Sequence, residues 1–234
     1  MLISVIIPVY NEKENLHKRL SFLCKQANNF PIEIIVSNSP ETTDSSKIVC
    51  NMFAKVNYFL SKKKGRAAQM NFGASKSKGE VLLFLHADVA LPNDFYTQVK
   101  KAIANENKAG FFCFKFDKEG FLLKINSAMT RKDGMFAGGG DQCQFFTKET
   151  FENLGGFNED YCIMDDFEII GKVRKQKIPF TIIQSPVIVS SRKYEANSWI
   201  KINLINAYIF FKYKLGTPPE KLRKTYKSLL RENV

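Results

Sequence analysis

The stretch Leu2-Ile3-Ser4-Val5-Ile6-Ile7-Pro8-Val9-Tyr10-Asn11-Glu12-Lys13-Glu14 decides the architecture. Residues 2–9 form an almost continuous apolar, β-branched run without polar alternation, the pattern of a strand covered on both faces in a parallel sheet. Pro8 and Asn11 bound it. Asn11 followed by Glu14 has the form of a capping box, and Leu16, Leu20, Leu23 and Ala27 supply the apolar face of the helix that should follow.

The same alternation repeats outward from that unit. It predicts strand 32–37, helix 44–54, strand 56–60, helix 66–77, strand 81–86 and helix 93–105. Strand and helix in this order imply right-handed βαβ units, hence an α/β fold with a doubly wound, mostly parallel sheet flanked by helices. From Gly110 the pattern is less regular: an aromatic strand 111–116, a helix near 122–130 and the run Gly138-Gly139-Gly140. Two late helices, 199–215 and 219–230, are separated by Gly216-Thr217-Pro218-Pro219.

With 234 residues the chain suits one such domain, divided here into a ligand-binding half 1–109, a second half 110–195 and a C-terminal helical appendage 196–234. The 35 Lys and Arg outnumber the 23 Asp and Glu, a net charge of +12 that favours an anionic partner. Cys24, Cys50, Cys113, Cys143 and Cys162 show no paired short spacing, which points to reduced, buried thiols in a cytoplasmic protein. Residues 1–10 lack the basic leader and length of a signal peptide. Residues 199–215 are broken by Lys201, Asn203, Asn206, Lys212 and Lys214, so they read as a helix lying on a membrane or on the sheet rather than one crossing a bilayer.

Ligands of a doubly wound sheet bind beyond the carboxyl ends of its strands. That rule nominates Pro8 to Glu12, Ser37-Asn38-Ser39 and His86-Ala87-Asp88. Asp88 follows the buried run Val81 to Leu85, so its carboxylate should emerge from a rigid strand, where it suits a hard divalent ion shared with diphosphate oxygens. Capping the turn before Leu91-Pro92 is the competing use of the same residue. His86 is a second metal candidate, set against a hydrogen-bonded structural role.

Asp165-Asp166 precedes a helix carrying Phe167, Ile170 and Val173. Asp165 and Glu168 have capping-box spacing, which leaves Asp166 as the freer carboxylate, its ionised state favoured by the helix dipole and suited to accept a proton. In Lys62-Lys63-Lys64-Gly65-Arg66, Arg66 is the candidate for contacting phosphate at a helix start, while Lys62 and Lys63 read as solvated. Asp141, after three glycines, is a further ligand candidate on a permissive backbone.

Ser4 to Glu12, Gly65-Arg66-Ala67-Ala68-Gln69-Met70-Asn71, Leu85-His86-Ala87-Asp88, Gly155-Gly156-Phe157 and Asp165-Asp166 together resemble family 2 glycosyltransferases of the GT-A fold, in the same order and over nearly the whole chain. The His-Ala-Asp form, the Gly140-Asp141-Gln142 segment and the tail Tyr213 to Leu222 look closest to a bacterial branch described as radical-SAM or selenodomain-associated transferases.

The resemblance implies an inverting displacement. A base deprotonates an acceptor hydroxyl that attacks the anomeric carbon of a nucleotide diphosphate sugar, with Mn2+ or Mg2+ on the departing diphosphate. It maps Pro8, Tyr10 and Glu12 to the nucleoside pocket, Arg66 near the donor, Asp88 to the metal and Asp166 to the base, with Asp165 in reserve. Asn38 stands where the family usually has the Asp that reads the nucleobase, and His86 replaces the first carboxylate of the usual Asp-x-Asp, so base preference stays open. The Gln-x-x-Arg-Trp motif of processive synthases is not found, which favours single addition.

The expected partners are a nucleotide-sugar donor, a hydroxyl acceptor that is free or lipid-linked, and a peripheral contact with the inner face of the membrane. Nucleic acid is not among them, because no motif organises aromatic residues for base stacking. Two alternatives compete: a non-catalytic nucleotide-sugar or membrane-surface binding protein, and a sugar-phosphate nucleotidyltransferase. The latter wants a glycine-rich basic loop where this chain has Val9-Tyr10-Asn11-Glu12-Lys13-Glu14.

Overall fold

In the computed structural model, which describes residues 1–134 and 137–230, the opening run becomes β1 (Ile3–Val9), an interior strand of a seven-stranded sheet. The last four residues of the segment 196–234 lie outside the described residues. The first half alternates as expected: α1 (Lys13–Gln26), β2 (Ile32–Asn38), α2 (Ser46–Asn51), β3 (Val56–Leu60), α3 (Arg66–Lys76), β4 (Val81–Phe84) and α4 (Phe95–Ala104). The second half comprises β5 (Ala109–Phe116), α5 (Phe121–Met129), β6 (Phe145–Thr147), α6 (Lys148–Asn153), α7 (Asp165–Lys175), β7 (Phe180–Val189), α8 (Arg192–Ala196), α9 (Trp199–Lys214) and α10 (Pro219–Leu229).

The strand order is β3-β2-β1-β4-β6-β5-β7. β1 pairs in parallel with β2 and β4, and β5 in parallel with β7. β6 runs antiparallel to both β4 and β5. The carboxyl ends of the six parallel strands therefore share one edge, and the reversed strand brings its N-terminal end, with the preceding loop from Gly138, to that edge. Every segment nominated by the strand-end rule lies there.

The side chains of β1 divide the core. Ile3, Val5, Ile7 and Val9 pack with Leu16, Leu20 and Leu23 of α1 and with Phe95 and Val99 of α4. Ile6 faces the opposite layer with Ala67 and Met70 of α3, Leu82 and Phe84 of β4, and Ile169, Ile170 and Val173 of α7. Successive strand residues point to opposite faces, so a continuously apolar strand must be covered twice, as it is here.

Two expected caps do not form. Asn11 adopts a left-handed φ of 54°, and α1 starts at Lys13 without a side-chain cap. Its amide oxygen instead accepts from the backbone N–H groups of Thr43 (2.8 Å) and Asp44 (3.3 Å), while Asp44 accepts from Lys13 N–H. The competition of a short polar side chain for nearby backbone donors is resolved in favour of the loop after β2 rather than its own helix. Asp165 is likewise inside α7, after a left-handed Met164, and caps nothing. Strand 81–86 ends at Phe84, helix 44–54 shortens to Ser46–Asn51, and Cys162 is exposed rather than buried.

Buried Gln69 of α3 ties the edge together. Its Nε2 donates to the carbonyls of Val9 (2.7 Å) and Ser37 (2.8 Å), the ends of β1 and β2. Gln69→Leu keeps the volume but removes both bonds. It is expected to lower unfolding free energy by about 2 kcal/mol and the melting temperature by roughly 4–8 °C, read by thermal denaturation. An unchanged melting temperature would mean that these bonds do not hold the strand ends.

Candidate active site

The β1 and β2 loops form one wall. Tyr10, 54% exposed, stands above the clasp made by Asn11, and Glu12 accepts from Asn15 Nδ2 at 2.7 Å. Asn38 is buried at the end of β2, where it donates to the Tyr58 hydroxyl (3.0 Å) and accepts from Thr42 Oγ1 (2.8 Å). Half of its amide's hydrogen-bonding capacity is thus committed to the protein, leaving one N–H and one lone pair for any ligand.

Across the edge, Arg66, the first residue of α3, meets the start of α7. Its guanidinium donates through Nε and Nη2 to both carboxylate oxygens of Asp165, and Nη2 lies 3.8 Å from Asp166 Oδ2. The Asp165 side chain is 1% exposed, so this two-pronged pair supplies the compensation that a buried charge requires. Lys63 and Lys64 pair instead with Glu159 and Glu41 on the surface.

Asp166 is the less enclosed of the two aspartates. Oδ2 accepts a short bond from Gly140 N–H, and Oδ1 accepts from Phe167 N–H at 2.9 Å. Burial pushes its carboxyl above the usual carboxylate range. Arg66 and the two backbone donors oppose that rise, and the Asp165 charge adds to it. The dipole argument for an easily ionised Asp166 therefore loses to desolvation. Gly140 has to be glycine for this contact, since a Cβ there would stand 2.6 Å from His86 Cε1 and 2.7 Å from Asp166 Oδ2.

The glycine loop is held by two glutamines. Gln142 accepts from Gly138 and Gly139 N–H and donates to Phe112 O, while Gln144 donates to Gly138 O and Asp166 O. Asp141 then projects beside His86, with Nδ1 to Oδ1 at 3.7 Å, and Lys193, with Nζ to Oδ2 at 4.0 Å. Burial opposes ionisation of Asp141, but His86, Lys193 and Arg66 outweigh it and hold the carboxyl well below its ordinary range. Asp88 is exposed and makes no hydrogen bond or ion pair among the described residues, so it does not cap the following turn. It is close enough to Lys193 to help keep that ammonium charged.

A cleft of about 600 Å³ joins Arg66, Asp141 and Asp166 to aromatic walls from Phe116, Tyr194 and Phe210. His86 approaches Asp166 through Gly140. Pro8, Tyr10, Glu12 and Asn38 belong to the neighbouring loop wall rather than to this cleft. Sequence reading missed Gln69, Gln144 and Lys193. Applying the strand-end rule to β7 would have found Lys193, which follows Val189 by four residues.

Residues 4–162 match the family model described as glycosyl transferase family 2, more than half of the chain. The chain belongs to glycosyl transferase family 2. It is 28% identical to an uncharacterized glycosyltransferase of Haemophilus influenzae, over 92% of this chain and 90% of that one. It is 34% identical to an uncharacterized glycosyltransferase of Rickettsia bellii over 53% of this chain, but spans only 19% of that relative's length. Among solved structures, the Pyrobaculum calidifontis mannosyltransferase PcManGT in complex with GDP-Man and Mn2+ superposes with a TM-score of 0.68 at 20% identity, covering 96% of this chain and 68% of that one. Staphylococcus aureus TarS 1–349 in complex with UDP gives 0.67 at 14% identity, covering 98% and 70%. These structural likenesses show a common fold, the GT-A type arrangement of a mostly parallel sheet.

The Arg66–Asp165 pair yields a stability test. Arg66→Ala strands a buried carboxylate and should cost about 2–3 kcal/mol, less than a fully buried pair because Arg66 remains partly exposed. Adding Asp165→Ala should restore part of the loss in urea denaturation. A double variant that is no more stable than the sum of both singles would mean that the two side chains are not coupled.

Proposed function

We propose that this chain is an inverting glycosyltransferase that moves a sugar from a nucleoside diphosphate to an acceptor hydroxyl, and that Asp166 is the base. The observation that carries this reading is the Asp166 carboxylate, held by Gly140 N–H at the wall of the cleft with its affinity for a proton raised by burial. A base must be fixed in position and basic enough to take a proton, and this group satisfies both conditions. The acceptor oxygen bonds to the anomeric carbon as its proton passes to Asp166, and the carbon–oxygen bond to the diphosphate breaks with its electrons going to the leaving nucleotide. Asp165 is then a positioning residue, because its oxygens are taken up by Arg66.

A divalent cation fits the electrostatics. Four carboxylates, Asp88, Asp141, Asp165 and Asp166, share this edge with three fixed cations, Arg19, Arg66 and Lys193. A diphosphate would be repelled by that balance without positive charge of its own. No group of three or more His, Cys, Asp or Glu able to hold a metal occurs among the described residues, which suits an ion that draws most of its ligands from phosphate and water. When bound, Mn2+ or Mg2+ neutralises charge on the departing diphosphate. Asp88, exposed and with no hydrogen bond or ion pair among the described residues, is the proposed carboxylate. His86 turns Nδ1 toward Asp141 and is left out of the metal set.

Pro8, Tyr10, Glu12 and Asn38 are proposed to hold the nucleoside, and Arg66 and Asp141 to flank the diphosphate sugar. The proposed division keeps 1–109 for the donor, 110–195 for acceptor and base, and 196–234 as the helical appendage. The His86-Ala87-Asp88 form, the Gly140-Asp141-Gln142 segment and the tail Tyr213 to Leu222 support the radical-SAM or selenodomain-associated branch, and a cytoplasmic setting with peripheral contact on the inner membrane face is proposed with it. Dolichol-phosphate mannosyltransferase of Pyrococcus furiosus is 29% identical over 45% of this chain, which supports a lipid-linked acceptor.

Calorimetry with UDP and GDP, with and without Mn2+, is expected to show metal-dependent binding that Asp88→Ala abolishes; no nucleotide binding would overturn the donor reading. In a transfer assay, kcat/KM should rise with pH along an acid limb centred above the ordinary carboxylate value of about 4, because the ionised Asp166 is the active form. Asp166→Asn should remove that limb and lower kcat by about 10²–10⁴. Survival of the limb in this variant would reassign the base.

A further inference from the structure

The cleft opens between two helices that are apolar on the wrong side. α9 buries Ile202, Ile205 and Ile209 against the protein, yet Ile200, Leu204, Tyr208, Phe211 and Leu215 are all exposed. Their spacing of four, four, three and four residues confines them to an arc of about 80° along the helix. A helix apolar on both sides is normally covered on both sides, and this chain covers only one. On α5, Phe121, Leu122, Ile125 and Met129 are exposed as well, Phe121 at 79%. Most of the large hydrophobic side chains exposed among the described residues lie on these two helices beside the cleft, a concentration rather than scattered exposure.

Both helices line the cleft that reaches Asp166. Ile125 and Met129 come from α5, and Trp199, Asn203 and Phe210 from α9. Asn126 Nδ2 donates to the Tyr194 hydroxyl at 2.9 Å, tying α5 to α8, the short helix that precedes α9. Lys201 and Lys212 flank the apolar stripe on α9, at about 100° and 120° around the helix from Ile200, and α10, packed on the Ile205 and Ile209 side, adds the exposed Lys221, Arg223, Lys224 and Lys227. Residues 199–230 contain one acidic side chain, Glu220. No helix among the described residues is long and apolar enough to cross a membrane.

We infer that the exposed faces of α5 and α9 dock on an anionic lipid bilayer, with the cleft mouth turned toward the headgroups. Apolar side chains enter the headgroup boundary while the lysines meet lipid phosphates, the division of labour of an interfacial helix. A second copy of this chain is the poorer occupant, since a two-fold contact would bring one basic surface against another. Docking presents the acceptor cleft to molecules held in the membrane. That last step rests on the proposed transfer function; the docking surface itself does not.

The test is flotation of the full chain with equimolar phosphatidylcholine–phosphatidylglycerol vesicles, against phosphatidylcholine alone, at low and high salt. The chain should float with the anionic vesicles, and salt should weaken the association. The double variant Leu204→Glu/Phe211→Glu, at two exposed positions, should keep its melting temperature and nucleotide binding while losing flotation roughly tenfold or more. Failure of the intact chain to float at low salt would overturn the inference, as would equal flotation of the variant. A dimer in sedimentation velocity that the same variant converts to monomer would assign this face to a second copy instead. A chain that floats but binds no nucleotide keeps the docking surface and removes the transfer reading; the reverse result removes only the surface.

Discussion

The clasp between Arg66 and the paired aspartates at the start of α7 is the constraint on which the site depends. It joins residues 99 positions apart in sequence, one at the head of α3 and the others at the head of α7. Both helix starts lie at the carboxyl edge of the sheet, and their dipoles alone would favour negative charge there. Arg66 brings a positive charge to the same spot and is accommodated because Asp165 is buried against it. Once Asp165 is committed, Asp166 is left to face the cleft and to receive the Gly140 amide. One ion pair thereby sorts two adjacent, chemically identical side chains into an anchor and the proposed base.

The second constraint is the direction of β6. Its reversal delivers the glycine loop to the edge where the parallel strands end, so that Gln142 and Gln144 can fasten that loop to Phe112 O and Asp166 O. Asp141 and His86 then meet across it. The four carboxylates that the proposed chemistry needs thus come from three separate places, after β4, before β6 and the start of α7, and are gathered by topology rather than by a single local motif.

The first half of the fold was legible because β1, β2 and β4 are buried on both faces, and double burial writes a nearly unbroken apolar run. The edge strand Val56–Leu60 is only half-buried, and its ends matched because β-branched and aromatic residues crowd a short segment. Caps were less legible. Asn11 and Asp165 carry the right spacing, but their oxygens found longer-range partners, Thr43 and Arg66, that no local pattern encodes. Asp88, Asp141 and Asp166 were visible as carboxylates at element ends, whereas the lifted proton affinity of Asp166 depends on desolvation by residues distant in sequence. Lys193 was hidden inside a basic, unpatterned stretch, and the pairing of Gln69 with two strand ends is a tertiary fact that the helix pattern around it conceals.

The commitment of the Asn38 amide has a consequence for how donor choice can change over time. With Tyr58 and Thr42 occupying one donor and one acceptor, this position would impose no charge on a base held in the proposed nucleoside pocket, and the remaining N–H and lone pair accept either polarity of partner. Discrimination is then delegated to backbone groups and to the shape of the loops clasped by Asn11. Such a pocket drifts readily between nucleobases, because a small loop adjustment alters its preference without first having to remove a buried carboxylate. Divergence of donor use among close relatives is therefore an evolutionary step within short mutational reach.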